Sequence, residues 1–209
     1  MLKVIVLAAG LSRRMGVENK LLMPFCGKTM VETTLDNILA AEIGEIVVVV
    51  GHEAEKVKAV LKNDPLSIIE NLDYEKGMTT SIQTGVRATH NSKLITHNSA
   101  YMICLSDMVL IEPEEYQFLA EQFFEYLKQD KQAIVQPIFK GKRGNPVIFS
   151  HFYEKDILET TDTEGCRAVI QKYKKHVRFV EMPTDHVLQD VDFREDYDHL
   201  MNDLKIKNG

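Results

Sequence analysis

Short apolar runs alternate with longer stretches of helical period along this chain of 209 residues. Runs rich in β-branched and aliphatic residues predict strands at 3–8, 45–50, 67–70, 100–105, 133–137 and 147–149. From Ile46 to Val50 every position is apolar, as expected of a strand covered on both faces. Between the strands, Met30, Val31, Leu35, Ile38 and Leu39 recur with a helical period across 29–41. Further helices are predicted at 53–62, 79–89 and 113–129, the last opening with Pro113, a residue suited to a first helical turn. Such alternation requires right-handed crossovers and a mostly parallel sheet. The expected fold is one Rossmann-like domain over residues 1–209, a three-layer α/β/α sandwich. The less regular stretch 136–192 is expected to contain an excursion that covers the site. In sheets of this kind ligands bind beyond the carboxyl ends of the strands, so the chemistry should follow the strand runs.

Composition narrows the class without naming it. A 44% hydrophobic and 27% charged content fits a globular protein and excludes a disordered chain. The formal charge of −6 argues against a general nucleic-acid binder. That charge is uneven: within 1–28, Lys3, Arg13, Arg14, Lys20 and Lys28 face one acid, Glu18. A compact basic cluster on an acidic protein suits a small polyanion such as a triphosphate, although chance clustering on a solvated surface would look the same. The three cysteines, Cys26, Cys104 and Cys166, form no metal-spaced pair, and their odd number without a secretory signal predicts a reducing, cytoplasmic location. Cys104 lies inside an apolar run and is expected in the core. The apolar start, 2–9, is too short for a membrane span and reads as a strand.

Five stretches carry candidate chemistry. After the first strand comes Leu7-Ala8-Ala9-Gly10-Leu11-Ser12-Arg13-Arg14-Met15-Gly16, then Lys20. Its small residues allow a sharp turn and a close backbone approach to phosphate, with Ser12, Arg14 and Lys20 as further donors. It is neither a P-loop nor a Gly-x-Gly-x-x-Gly turn. Next, Gly77-Met78-Thr79-Thr80-Ser81 opens a helix with hydroxyl residues, which capping alone would explain. Asp107 follows the fourth strand run, at the ligand edge where Mg2+ needs one or two carboxylates beside phosphate oxygens; a solvated or capping aspartate is the plainer reading. Near the C-terminus, Asp192 either caps the final helix, joins that metal site, or does both, and alternation puts Asp190 on the same side. Last, Gly141-Lys142-Arg143-Gly144-Asn145-Pro146 reads as a turn into a strand. His52 reads as a loop residue.

These strings together resemble the MobA-like nucleotidyltransferase family, which includes the molybdenum cofactor cytidylyl- and guanylyltransferases. The first is similar to that family's Leu-x-x-Gly-x-Ser-x-Arg-Met-Gly…Lys signature, and its Ala8-Ala9-Gly10 form to the cytidylyl branch. The resemblance implies a nucleotide-diphospho-sugar transferase-like fold and a Mg2+-dependent transfer of a nucleoside monophosphate, with CTP as the favoured donor. It implies nucleotide contacts at Leu7, Ala8, Ala9, Gly10, Ser12, Arg14, Lys20 and Ser81, and catalytic roles for Arg14, Lys20 and Asp107. Asp107 and Asp192 would hold the metal, and Arg143 and Asn145 would face the acceptor. The implied partners are CTP, molybdopterin or another phosphorylated acceptor, and a molybdoenzyme that receives the product; no nucleic acid and no membrane are among them. Gly165-Cys166-Arg167 resembles a helix start of the same branch. The chain departs from the family at Ser106 and Val109, where glycine and proline are usual, and at Phe193 and Arg194, in place of threonine and proline.

Overall fold

The structure is a computed structural model, described here for all residues except 13, 14, 16, 17, 62–65, 91–98, 208 and 209, with backbone alone over 203–207. In chain order the elements are β1 (Leu2–Ala8), β2 (Pro24–Phe25), β3 (Lys28–Thr29), α1 (Met30–Ala40), β4 (Gly44–Val50), α2 (Ala54–Leu61), β5 (Ser67–Glu70), α3 (Met78–Thr89), β6 (Ala100–Leu105) and α4 (Pro113–Gln129). The second part holds β7 (Ile134–Phe139), β8 (Lys142–Arg143), β9 (Val147–Ser150), α5 (Glu154–Glu159), α6 (Arg167–Lys172), β10 (Val177–Glu181) and α7 (Arg194–Lys207).

The main sheet runs β10-β7-β9-β6-β1-β4-β5, with β8 attached to β7. β1 pairs in parallel with β4 and β6, β4 with β5, and β7 with β10, whereas β9 runs antiparallel between β6 and β7. All seven residues of β1 are buried, because helices cover both faces. Leu2, Val4, Val6 and Ala8 pack with α1, α2 and α4 on one face. Ile5 and Leu7 pack with α3, α5 and α6 on the other. The fold is therefore the expected three-layer α/β/α sandwich with a mostly parallel sheet. Among the described residues no helix is long and apolar enough to cross a membrane.

Local sequence explains the elements that frame the site. Thr29 caps α1 in a reciprocal box with Glu32. Pro113 opens α4, and Glu112 and Glu115 close a second such box. Helix α3 lies unusually close on β1, since a Cβ at Gly85 would stand 2.3 Å from the Ile5 Cγ2. That approach brings the N-terminal turn of α3 to the carboxyl edge of β1. A third apolar cluster joins Met15, Met23, Phe25, Met30, Val109, Val191 and Tyr197, and so fastens α7 beside the first loop.

The predicted strands fall within two residues of the observed ones, and the four predicted helices all occur. The excursion within 136–192 differs from a simple cover. It builds one end of the main sheet through β7, β9 and β10, and β10 escaped the hydrophobic pattern altogether.

Candidate active site

A cavity of about 420 Å³ opens at the carboxyl ends of β1 and β6. Its walls include Leu7, Ala9, Gly10 and Ser12 from the first loop, Lys20, Ser81 from α3, and Asp107, Asp190 and Asp192. Of the sequence-predicted nucleotide residues, Ala8 does not line it; its side chain belongs to the core with Val6 and Val50. Arg14 lies outside the described residues.

The first loop keeps its shape by means the sequence only partly suggests. Among its described residues the left-handed one is Ser12, at φ 49°, not Gly10. The Ser12 Oγ accepts from the Lys20 backbone N–H at 3.3 Å and donates to the Asn19 Oδ1 at 3.5 Å. A Cβ on Gly10 would meet nothing within 4 Å, so the chain itself does not demand glycine there, and the space before it stays open. Ser81 is buried and accepts from the Asn71 Nδ2 at 2.9 Å.

Lys20 lies at the centre. Its Nζ is 2.5 Å from the Asp107 Oδ2 and 2.7 Å from the Asp192 Oδ1, joining positions 172 residues apart in the chain. Burial on its own would lower the ammonium's pKa, but the charge and hydrogen bond of Asp107, with those of Asp192, raise it above the ordinary lysine value. The other Asp107 oxygen, Oδ1, is buried without a hydrogen-bond partner among the described residues. The Asp190 carboxyl is raised by burial first and then by the charges of Asp107 and Asp192. The Asp192 carboxylate is engaged by Lys20 ahead of α7. The backbone N–H groups of Asp192 and Phe193 donate to the Asp196 Oδ2, at 3.1 and 2.7 Å.

The unusual flanks find structural work. Ser106 donates to the Leu7 carbonyl at 2.7 Å and so ties the end of β6 to β1. Val109 packs in the cluster under α7, and its carbonyl accepts from Asn37. Arg194 reaches back to Glu18 at 2.9 Å, holding α7 against the first loop.

Arg143 and Asn145 do not enter this cavity. They line a neighbouring one of about 390 Å³, with Ile103, Val147, Phe149 and Arg167, and the two cavities share Met78 and Leu105 as common wall. The Arg143 guanidinium stacks 5.1 Å from the centre of the Phe179 ring. The turn before β9 is held against the segment around Val187, to whose carbonyl the Asn145 N–H donates at 3.0 Å. A Cβ at Gly144 would stand 2.2 Å from that same carbonyl, which explains the glycine. Sequence reasoning missed Tyr74 and Glu75, which line the first cavity from a single 3-10 turn, and the place of Arg167 in the second. No local pattern signals them.

Fold and cleft define the class, a Rossmann-like sandwich with an anion-suited loop and carboxylates at the carboxyl edge of its sheet. The chain belongs to the MobA-like NTP transferase domain family, which it matches over residues 4–177. It is 24% identical to the molybdenum cofactor cytidylyltransferase of Escherichia coli K12 over 92% of both chains. It is also 35% identical over 91 residues to the nicotine blue oxidoreductase of Paenarthrobacter nicotinovorans. That match spans 44% of this chain and 45% of the relative, less than half the length of either. Among solved structures, a nucleotidyl transferase from Methanothermobacter thermautotroptrophicus superposes with a TM-score of 0.81 at 21% identity, covering 100% of this chain and 99% of the other.

Proposed function

We propose that this protein is a nucleotidyltransferase, moving a nucleoside monophosphate from a nucleoside triphosphate to a phosphorylated acceptor, with CTP as donor and molybdopterin as acceptor. The observation that carries the reading is the meeting of Lys20, Asp107 and Asp192 within 2.5–2.7 Å beside the first loop. Family membership and the end-to-end likeness to a cytidylyltransferase support it.

In this reading the first cavity takes the triphosphate and the second the acceptor, with Met78 and Leu105 between them. Backbone donors of Gly10 to Ser12 and the Lys20 ammonium hold the phosphates. A phosphate oxygen of the acceptor attacks the α-phosphorus, and pyrophosphate leaves in line. A phosphate monoester is already largely ionised near neutral pH, so the step needs no general base; positioning and charge stabilisation carry it.

The carboxylates fit a Mg2+ ion. The buried Asp107 Oδ1 is an acceptor with no hydrogen-bond partner among the described residues. Among the described residues no three His, Cys, Asp or Glu side chains are arranged to hold an ion unaided. Mg2+ commonly binds through one or two carboxylates and substrate phosphates, and Asp107 and Asp192 would supply the former. When bound, the ion would neutralise charge developing on the phosphates.

Pyrophosphate release from CTP, GTP, UTP and ATP, each with molybdopterin, with a sugar 1-phosphate or without acceptor, tests the proposal. Release that requires CTP and molybdopterin is the expected result. A second reading keeps the same cleft as one that holds a nucleotide without splitting it. No release with any pair would favour that reading.

A further inference from the structure

The Lys20 ammonium stands where a bridging cation would stand. Its Nζ reaches one oxygen of Asp107 and one of Asp192, at 2.5 and 2.7 Å. Mg2+ bound to those same oxygens, at about 2 Å from each, would have to occupy nearly the same point. An ion on the Asp107 Oδ1 alone would still sit across the same carboxylate from the ammonium, where two cations repel in a partly buried site. Lys20 is well held there: its side chain is 12% exposed, like that of Asp107. It also has somewhere else to go. The Lys20 backbone N–H is fixed to the Ser12 Oγ, while its long side chain lines the same cavity as Gly10, Leu11 and Ser12. A polyphosphate on that loop offers the ammonium new partners without any backbone movement.

We propose that Lys20 and a divalent cation compete for the Asp107–Asp192 pair, so that the cation is taken up only with a polyphosphate that draws Lys20 away. The proposal rests on the reading of this cleft as a divalent-dependent transfer site. Lys20 then serves twice, as a resident counter-ion that keeps the carboxylates paired in the empty cleft and as a phosphate ligand in the filled one. The linkage is reciprocal, so the cation and the polyphosphate each tighten the binding of the other.

Mn2+ binding, followed by electron paramagnetic resonance on the purified chain, reads this without turnover. With Mn2+ alone, Lys20→Met should bind about tenfold or more tightly than the wild type, because one competing charge is gone. Lys20→Gln should behave like Lys20→Met, and Lys20→Arg like the wild type, since charge is the cause. With inorganic tripolyphosphate present, the wild type should bind Mn2+ at least as tightly as Lys20→Met. Equal affinities of wild type and Lys20→Met for Mn2+ alone, both abolished by Asp107→Asn, would overturn the competition and leave the metal site intact. Mn2+ binding indifferent to Asp107→Asn, or absent even with tripolyphosphate, would overturn the metal site and the competition together.

Discussion

Strand β6 ends in two clusters of polar side chains, one at each edge of the sheet, and they are satisfied very differently. At its start, Tyr101 is fully buried; its hydroxyl donates to the Glu154 Oε2 and lies 3.2 Å from the His151 Nδ1. The other Glu154 oxygen is 3.1 Å from the His90 Nε2. Just past its end, Asp107 is also buried, yet among the described residues one of its oxygens is paired, with Lys20, and the other has no hydrogen-bond partner. A buried polar group left without a partner costs about 1–3 kcal/mol; among the described residues Asn19, Gln136, Ser150 and His176 hold one as well, and the Asp107 atom differs in being a carboxylate oxygen on the wall of the first cavity. The first cluster is closed upon itself and stabilises the edge where α3, β6 and α5 converge. The second leaves a carboxylate oxygen on the cleft wall without a partner among the described residues. Burial alone would not have told them apart.

The largest effect expected from breaking this contrast is on turnover at the Asp107 end. Asp107→Ala should lower pyrophosphate release by about 10²–10³ or more, the scale for losing a well-placed group that stabilises transition-state charge. The circular dichroism spectrum should not change, because Lys20 keeps Asp192. Turnover close to that of the wild type at saturating Mg2+ would remove Asp107 from the site. Asp192 is more open, its side chain 33% exposed. Asp192→Asn should therefore cost less, about tenfold in the same assay, since solvent screens its charge. A loss as large as that of Asp107→Ala would mean that the two carboxylates act as one unit.

At the other end the sign of the contrast reverses. Tyr101→Phe should leave pyrophosphate release unchanged while lowering stability by about 1 kcal/mol, the net worth of one hydrogen bond, because Glu154 is partly exposed and keeps His151 at 3.0 Å. Urea denaturation reads the second quantity. A variant that was slower yet equally stable would show that the two ends communicate along the strand.

Both ends differ as well in how far the sequence disclosed them. Asp107, Lys20 and Asp192 are legible because a parallel sheet puts ligands past its strand ends, and because their flanking strings resemble a known family. The buried strands β1, β4 and β6 were legible for a related reason: a strand covered on both faces is a continuous apolar run. β10 was not. It is an edge strand of Val177-Arg178-Phe179-Val180-Glu181 behind Lys174 and Lys175, stabilised by pairing with β7, which local pattern does not report. Tyr74, Arg167 and the Tyr101–Glu154 network depend on which elements meet, a tertiary fact. Asp192 shows the same limit at finer scale. Its position suits a helix cap, and only the fold shows that Lys20, 172 residues away, engages its carboxylate.

The smallest expected effect is a difference in slope, and it tests whether the Tyr101 end is as closed as its geometry implies. Burial first, then the hydrogen bond and charge of Glu154, raise the Tyr101 phenol far above its ordinary value of 10.0. Below about pH 10 the phenol keeps its proton in both folded and unfolded chains, and its contribution to stability is fully present. As the pH rises past that point the unfolded chain releases the proton while the folded chain retains it. The unfolded state then binds fewer protons, so the free energy of unfolding falls, by at most about 1.4 kcal/mol per pH unit for this one group. Tyr101→Phe lacks the group, and its stability should fall less steeply between about pH 10 and about pH 11. Tyr153 and Tyr116, which burial also raises, are present in both chains and drop out of the difference. Parallel urea-denaturation profiles over that range would mean that Tyr101 gives up its proton as readily in the folded chain as in the unfolded one. The start of β6 would then be no better closed than the end that holds Asp107.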